Sequence, residues 1–341
     1  MTLLPSLDSL PAMPDTSEES LPDLHGKHLI IASPLAISEA VFSAPAVRSL
    51  RDPIGDGLIT IIAYPETAPL WRSLVEVDEV IECQLSDSTR RVARILTTSA
   101  SFFNLSLAWD DSPATRAFAK LGIPERIGFS DEQTAKSLTR TIKVRREPGP
   151  IEHRVKDYLD IAQKLGANPY LPTHFAPPER PLPQKTSTVI FSPGSDFGPA
   201  AEWPVERFQE LARQIGRDHE ITILPAPDRP GPANSLARLL GVSVINYSGD
   251  QLLQFLASAH FLVASDSSVP HLASFVGTPS LVIFGPNQPD WHRPLGKIHQ
   301  VVHQHVACSG CLLNKCPLDH RCMEELSLDR VFDAYSKLSR S

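Results

Sequence analysis

Residues 261–287 read FLVASDSSVPHLASFVGTPSLVIFGPN. This stretch begins with a short apolar run, FLVA (261–264), and contains a second one, SLVIF (280–284). Short apolar runs on either side of a helical segment are typical of buried parallel strands. Ligands of an open parallel sheet bind beyond the carboxyl ends of its strands. The polar segment that follows FLVA therefore lies where such a fold places a ligand.

Four side chains of this segment can bind a ligand. Backbone amides at the start of the following helix are unpaired and carry partial positive charge, so they attract phosphate oxygens. Ser267 and Ser268 add hydroxyl donors, Asp266 can accept from sugar or base hydroxyls, and His271 follows one turn into the helix. The alternative is structural, because Ser and Asp are common helix caps and His271 can be a core residue with satisfied hydrogen bonds. The pattern alone leaves both interpretations open.

Similar apolar runs recur in two series along the chain. The first series is HLIIA (28–32), LITIIA (58–63), VDEVIE (77–82) and ARILTT (93–98). The second is TVIFS (188–192), ITIL (221–224), SVIN (243–246), FLVA and SLVIF. Amphipathic segments such as VERFQELARQIG (205–216) and DQLLQFLA (250–257) have helical spacing. Strands alternating with helices predict an α/β protein with two doubly wound parallel domains and a cleft between them.

A proline-rich run separates the two series. NPYLPTHFAPPERPLP (168–183) contains six prolines and can form neither a helix nor a central strand. The predicted organisation is a disordered acidic leader (1–27), an N-terminal domain (28–168), a linker (169–186), a C-terminal domain (187–325) and a final helix (326–341). The leader is predicted because residues 1–24 carry acidic residues and prolines but no Lys or Arg.

Composition excludes several classes of protein. A net charge of -7 argues against nucleic acid as the main ligand, because phosphate backbones require a basic face. No apolar stretch approaches the ~20 residues of a membrane helix, and the N-terminus lacks the pattern of a secretory signal. We therefore expect a cytoplasmic globular protein.

Four of the five cysteines crowd into one segment, 308–322, with the spacing Cys308-x2-Cys311-x4-Cys316-x5-Cys322. Thiols this close in a cytoplasmic protein more often bind metal than form disulfides. A structural zinc ion or an iron–sulfur cluster is expected, with His303, His305 and His320 as alternative ligands. The other interpretation is a loop of reduced cysteines packed before the helix LDRVFDAYSKL (328–338).

Four motifs resemble those of glycosyltransferase family 9, the bacterial heptosyltransferases that build the inner core of lipopolysaccharide. They are LAISEAVFSAPAVRSLR (35–51), GIPERIGF (122–129), SPGSDFGPAAEWPVERFQELA (192–212) and the opening stretch, through Asp266, Ser267, His271, Leu272, Ala273, Gly277, Thr278, Pro279, Phe284, Gly285 and Pro286. The motifs occur in the family's order over residues 28 to about 335. The resemblance implies the GT-B architecture, in which two Rossmann-like domains face each other across a cleft.

The resemblance also implies an activity and the residues that carry it. It implies an inverting transfer of a heptose-like sugar from a nucleotide-diphosphate donor such as ADP-heptose, without a catalytic metal. Asp266, Ser267, Ser268 and His271 would surround the sugar and diphosphate of the donor. Gly194 and Ser195 would line the opposite side of the nucleotide pocket, and Glu39 would be the general base. The acceptor would be a lipid-linked glycan, met by a peripheral protein at the inner face of the inner membrane.

Three departures from the family pattern fall on residues that carry the chemistry. Ser38 and Glu39 replace the family's Gly-Asp, Ala201 and Glu202 replace its Lys-Arg, and Ser268 replaces a glycine. Glu39 can instead be a solvated residue at a helix start, and Arg207 is a candidate to replace the missing lysine. These departures keep two other functions open. One is a catalytically weakened family member that binds a nucleotide sugar or glycan, and the other is a nucleotide-sugar epimerase of related fold.

Overall fold

The computed structural model describes residues 22–98, 102–129, 133–142, 151–179 and 183–338. Most of the predicted leader, three residues of the predicted linker and the end of the predicted final helix lie outside this part of the chain. None of the described helices is long and apolar enough to cross a membrane.

The first series of apolar runs forms a parallel sheet. Its described strands are β1 (His28–Ala32), β2 (Leu58–Ala63), β3 (Glu79–Glu82), β4 (Leu105–Ala108), β5 (Glu125–Phe129) and β6 (Arg140–Ile142), in the order β3-β2-β1-β4-β5-β6. The helices of this half are α1 (Ile37–Ser49), α2 (Arg51–Ile54), α3 (Ala68–Arg72), α4 (Thr89–Thr98), α5 (Pro113–Lys120) and α6 (Val155–Lys164). Along β1, Leu29 and Ile31 pack with α1 and α6, whereas Ile30 packs with α4 and α5. Alternate residues thus bury both faces of the sheet, as in a doubly wound fold.

The second series forms another parallel sheet. Its described strands are β7 (Thr188–Ser192), β8 (Glu220–Ile223), β9 (Phe261–Ser265), β10 (Ser280–Phe284) and β11 (His299–His303), in the order β11-β10-β9-β7-β8. The helices are α7 (Val205–Ile215), α8 (Pro230–Leu240), α9 (Gly249–Ser258), α10 (Ser268–Phe275), α11 (Pro289–His292), α12 (Arg321–Glu324) and α13 (Leu328–Leu338). The domain boundaries themselves remain a prediction, although each sheet falls within one of the two predicted ranges.

The two halves pack directly against each other. Helix α1 contacts α10, and α3 contacts α9. One apolar cluster contains the buried residues of these four helices together with alternate residues of both central strands. Phe42 of α1 lies at this contact, where its ring meets the edges of His271 and His292 at centroid distances of 5.0 and 5.2 Å.

Two of the predicted strands are wrong. Residues 93–98 belong to α4, because Val92 and Leu96 lie one helical turn apart and both are buried. Residues 243–246 form no strand, since Val244 makes only an isolated bridge to Ile223, the last residue of β8. Both segments are short and apolar, and such segments do not separate strand from helix or loop by composition alone.

Candidate functional site

Two loops meet at the carboxyl end of the second sheet. Strands β7 and β9 are neighbours, and the chain leaves them in opposite directions, toward β8 and toward β10. Their loops are joined because Ser195 Oγ donates to the Asp266 carbonyl at 2.5 Å and Ser265 Oγ donates to the Pro193 carbonyl at 2.8 Å. A point where the strand order reverses in this way is the usual ligand site of an open parallel sheet. The structure thus brings Gly194 and Ser195 together with Asp266.

The first amide of α10 is bound by a carboxylate that the sequence did not indicate. Ser268 N donates to Asp196 Oδ1 at 2.9 Å, although Asp196 is otherwise exposed to solvent. Ser267 precedes the helix in an extended conformation, and the Ser267 and Ser268 hydroxyls are buried without a hydrogen-bond partner. The signal for Asp196 was its place after the neighbouring strand, since a carboxylate is attracted to a helix N-terminus.

Asp266 is a buried carboxylate, with 2% of the residue exposed. Its Oδ2 accepts a hydrogen bond from Asn287 Nδ2 at 2.6 Å. Burial raises the pKa of Asp266 to about 7, while the Asn287 hydrogen bond lowers this pKa and the charge of Asp196 raises it. Asn287 is a further site residue that the sequence did not indicate. It follows β10, which is the strand next to β9.

His271 lies at the centre of the interface between the halves and is 0% exposed. Neither ring nitrogen has a hydrogen-bond partner, and burial lowers the pKa of His271 well below its usual value. Its ring contacts His292 of α11 at 4.9 Å, and His292 Nδ1 lies 4.0 Å from Asp266 Oδ1. Burial also lowers the pKa of His292, to about 4. His271 is therefore buried as the structural interpretation required, but its hydrogen bonds are not satisfied within the described residues.

Glu39 lies in the first turn of α1, and its side chain is 16% exposed. Tyr158 Oη donates to Glu39 Oε2 at 2.5 Å, and Arg154 Nε lies 2.9 Å from Oε1. Arg154 in turn stacks on the Trp291 ring at 5.0 Å, beside His292. Glu39 is thus a fixed carboxylate at the interface and not a solvated residue at a helix start.

A large cleft lies between the halves beside α10. Its volume is about 630 Å³, within the range of small-molecule sites. The lining residues are Ile37, Glu66, Pro69 and Leu70 from the first half, and Leu224, Pro225, Ala226, Pro227, Asp228, Pro230, Asn246, Tyr247, Ser248, Gly249, Leu252, Leu253, Val269 and Leu272 from the second. Helix α10 reaches the cleft through Val269 and Leu272, whereas Asp266 and His271 are buried behind it. The sequence prediction did not indicate this cleft, because its lining comes from five separate segments.

A loop that forms one wall of the cleft approaches the backbone of Gly194 so closely that only glycine fits there. A Cβ atom at residue 194 would lie 2.6 Å from the Arg229 carbonyl oxygen and 3.5 Å from the Ala226 Cβ. Contacts below 3.0 Å force a shift, and a backbone oxygen cannot rotate away. Gly194 thus supports the cleft wall from behind and is absent from its lining.

Gly194→Ala is expected to destabilise the protein by about 1–3 kcal/mol, because the added methyl overpacks the contact with Arg229. Gly231→Ala is the matched control. Nothing lies within 4 Å of a Cβ at residue 231, and alanine favours a helix, so this variant should be neutral or more stable by up to about 1 kcal/mol. Urea unfolding measures both free energies, and equal values for the two variants would show that the close approach is not required.

In the part of the chain that the structure describes, the segment that departs from the family pattern carries no free cation beside Ala201. Ala201 is 0% exposed, and the Glu202 carboxylate is bound by Arg229 through Nε and Nη2 at 3.0 and 3.1 Å. Arg207 donates instead to the backbone carbonyls of Met323, Glu324 and Leu326. Arg207 therefore supports the loop before α13, and this geometry gives no support to a role as a substitute for the lysine.

The four clustered cysteines line one small cavity. Cys308, Cys311, Cys316 and Cys322 are all free thiols, and His320 and Ala200 line the same cavity. His320 Nε2 donates to the Ala200 carbonyl at 2.8 Å, so that ring nitrogen is engaged. Among the described residues, the group of metal-ligand atoms found within 4.8 Å of one another contains Asp266, His271 and His292, and it does not include these thiols.

Comparison with known proteins identifies first the fold and then the family. The structure matches that of E. coli ADP-heptose lps heptosyltransferase II with a TM-score of 0.74 at 19% identity, covering 91% of this chain and 98% of that chain. This similarity confirms the predicted GT-B class. The sequence model of glycosyltransferase family 9 (heptosyltransferase) matches residues 103–321, well over half of the chain. The chain therefore belongs to glycosyltransferase family 9.

Two further relatives are informative. Lipooligosaccharide heptosyltransferase 2 of Campylobacter jejuni is 22% identical over 335 residues, which cover 91% of this chain and 99% of that protein. The iron-containing dodecameric heptosyltransferase TibC, solved in complex with ADP-D-beta-D-heptose, matches with a TM-score of 0.59 at 13% identity. That match covers 94% of this chain and 78% of TibC. The resemblance drawn from the sequence motifs is thereby confirmed at the level of the family.

Proposed function

We propose that this protein transfers a heptose-like sugar, with inversion, from a nucleotide-diphosphate donor to a lipid-linked glycan of the lipopolysaccharide type. The observation that carries the proposal is the cleft of about 630 Å³ between the two halves, which adjoins α10. Membership of the family and the names of relatives that are heptosyltransferases support this function. The proposed setting is the inner face of the inner membrane, which a peripheral protein reaches without a spanning helix.

The donor would occupy the cleft with its phosphates toward the start of α10. Tyr247 is 41% exposed, lines the cleft and is held by edge contact with Phe255, so its ring can contact a nucleobase. The Ser268 amide is an anion-binding group, occupied here by the exposed Asp196 carboxylate. We expect the donor diphosphate to replace that carboxylate, which can turn out to solvent.

Glu39 would act as the general base. An inverting transfer needs a carboxylate that removes the proton of the acceptor hydroxyl while the leaving group departs on the opposite side. Tyr158 and Arg154 hold the Glu39 carboxylate at the interface between the halves. A base fixed in this manner loses little entropy when the acceptor arrives.

Two features support the alternative function, in which a catalytically weakened family member binds a nucleotide sugar without efficient transfer. Ala201 provides no cation for the leaving group, and Arg154 neutralises part of the charge of Glu39. Isothermal titration with ADP-sugars beside a transfer assay separates the two functions. Binding with turnover supports transfer, and binding without turnover supports the alternative. Conversion of a free UDP-sugar without acceptor would instead indicate an epimerase.

Tyr247→Ala is expected to weaken ADP binding by about tenfold, because stacking of a base on an aromatic ring contributes ~1–3 kcal/mol. Tyr170→Ala is the matched control, since Tyr170 is similarly exposed but does not line the cleft. Titration calorimetry with ADP measures both dissociation constants. Equal affinities for the two variants would exclude the cleft as the nucleotide site.

The sequence predicted a structural metal at the cysteine segment (308–322), and this prediction remains a proposal. The four thiols face one cavity, and the segment packs against Gly198, where a Cβ would lie 2.5 Å from the Asn314 carbonyl oxygen. Thiolates on one zinc ion each lie ~2.3 Å from it. The thiols therefore have to move closer together before a single ion can be shared.

A further inference from the structure

We propose that Asp266, His271 and His292 form a binding site for a divalent transition-metal ion of the zinc or iron(II) class. One ligand atom from each residue lies within 4.8 Å of the others. Two imidazoles and one carboxylate are the donor set that suits zinc, iron(II) and cobalt(II), in contrast with magnesium or calcium, which prefer oxygen ligands alone.

The distances fit a single ion after a small contraction. Zinc binds imidazole nitrogen at ~2.0–2.1 Å and carboxylate oxygen at ~2.0–2.2 Å, so two ligands of one ion lie about 3–4 Å apart. His292 Nδ1 and Asp266 Oδ1 are 4.0 Å apart, which is too far for a hydrogen bond between them. His292 Nδ1 has no other hydrogen-bond partner within the described part of the chain. The three ligand atoms, all within 4.8 Å of one another, therefore need to approach by about 1 Å or less.

Unpaired nitrogen atoms point to a ligand at this site. His271 is completely buried, and both of its ring nitrogens lack a hydrogen-bond partner, as does His292 Nδ1. A buried polar atom without a partner costs about 1–3 kcal/mol, so such atoms are rare unless something binds them. A metal ion would take a lone pair from each imidazole.

The surroundings resemble the support that metal ligands require. Asn287 donates to Asp266 Oδ2 at 2.6 Å, which fixes the carboxylate and leaves Oδ1 directed toward His292. The Phe42 ring covers His271 and His292 with edge contacts at 5.0 and 5.2 Å. Phe42 therefore provides an apolar wall that limits access of water to the ligands.

A role for the ion follows if the proposed function is correct. Three protein ligands leave at least one coordination position open. Asp266 precedes α10, where the donor diphosphate is proposed to bind, and Ala201 provides no charge to that segment. An ion at this site would add positive charge next to the start of α10, where the donor diphosphate is proposed to bind.

The test is titration of the metal-free full-length protein with cobalt(II), read by visible absorption and by elemental analysis. The ligand-field bands of a site with nitrogen and oxygen ligands lack the intense near-ultraviolet charge-transfer band of thiolate ligands, so this site is distinguishable from the cysteines. We expect one cobalt ion with nitrogen–oxygen bands, and at least a tenfold loss of its affinity in His292→Gln and in Asn287→Ala. His303→Gln is the control, because His303 also has a ring nitrogen without a partner but lies outside the group.

Two results would overturn the proposal. One is a cobalt spectrum with thiolate bands alone, and the other is unchanged nitrogen–oxygen bands in a folded His292→Gln protein. Folding of each variant is checked by circular dichroism, and Asn287→Ala tests the site without removing a ligand. ADP titration with and without zinc separates this proposal from the proposed function. Cobalt binding without any ADP binding would leave the metal site standing and remove the donor site.

Discussion

Glu39→Gln is expected to lower kcat by ~10²-fold or more while the dissociation constant of the donor stays unchanged. The amide keeps the size of the side chain, and its oxygen can still accept the Tyr158 hydrogen bond at Oε2. It cannot accept a proton from the acceptor hydroxyl, so the loss should appear in the chemical step. A transfer assay at saturating donor measures kcat, and calorimetry with the nucleotide measures donor affinity.

Two controls separate a catalytic carboxylate from an ion-pair anchor. Tyr158→Phe removes the hydrogen bond to Glu39 and keeps the carboxylate, so kcat should fall less than in Glu39→Gln while KM is little changed. Glu39→Asp moves the carboxylate by one methylene, and higher turnover in this variant would show that the family's shorter residue fits better. Unchanged turnover in a folded Glu39→Gln protein would remove Glu39 from the mechanism and leave it as a partner of Arg154.

The repeating architecture was predictable because it depends on local patterns. The segment FLVASDSSVPHLASFV predicted a strand, a polar turn and a helix, and β9 and α10 have this order. The errors at residues 93–98 and 243–246 have a common cause, because short apolar segments fit a strand, a helix or an irregular segment equally well. Only packing against the finished sheet decides among them.

The candidate site was predictable only in part. Asp266, Ser268 and His271 could be found because they follow one strand directly, whereas their partners come from distant parts of the chain. Asp196 reaches Ser268 across 72 residues, and Tyr158 reaches Glu39 across 119. Such contacts depend on how two sheets are placed, which no local pattern encodes. The resemblance to the family indicated this candidate site but could not indicate residues such as His292.

Charge at the proposed donor site is one feature that separates this chain from the family pattern. Within the described residues, two arginines of this half are engaged elsewhere, since Arg207 binds three backbone carbonyls and Arg229 binds Glu202. The exposed Asp196 adds negative charge at the α10 N-terminus. Two sources of positive potential at the start of α10 are the helix amides and the proposed ion. If the helix amides and the ion together provide too little positive charge, the diphosphate leaving group is only weakly stabilised.

Ala201→Lys is expected to raise kcat/KM for an ADP-sugar by ~10²-fold, provided that the lysine reaches the donor as the family pattern implies. Negative charge develops on the diphosphate as the bond to the sugar breaks, so a cation there stabilises the transition state more than the ground state. One well-placed group of this kind typically contributes ~3 kcal/mol. Glu202 is already bound by Arg229 at 3.0 and 3.1 Å, so it should not neutralise the new lysine.

Ala201→Met is the matched control for that substitution, because it adds a side chain of similar length without charge. Ala201 is completely buried, so both variants should lose about 1–3 kcal/mol of stability through overpacking, and lysine should lose more because its amine is charged. Thermal unfolding measures both losses. A gain in kcat/KM that occurs with lysine and not with methionine must then come from charge. If lysine and methionine give equal kcat/KM values, charge at residue 201 does not limit the reaction. The departure at Ala201 would then be compensated elsewhere, and the ion proposed at Asp266, His271 and His292 is the compensation that the metal titration can reveal.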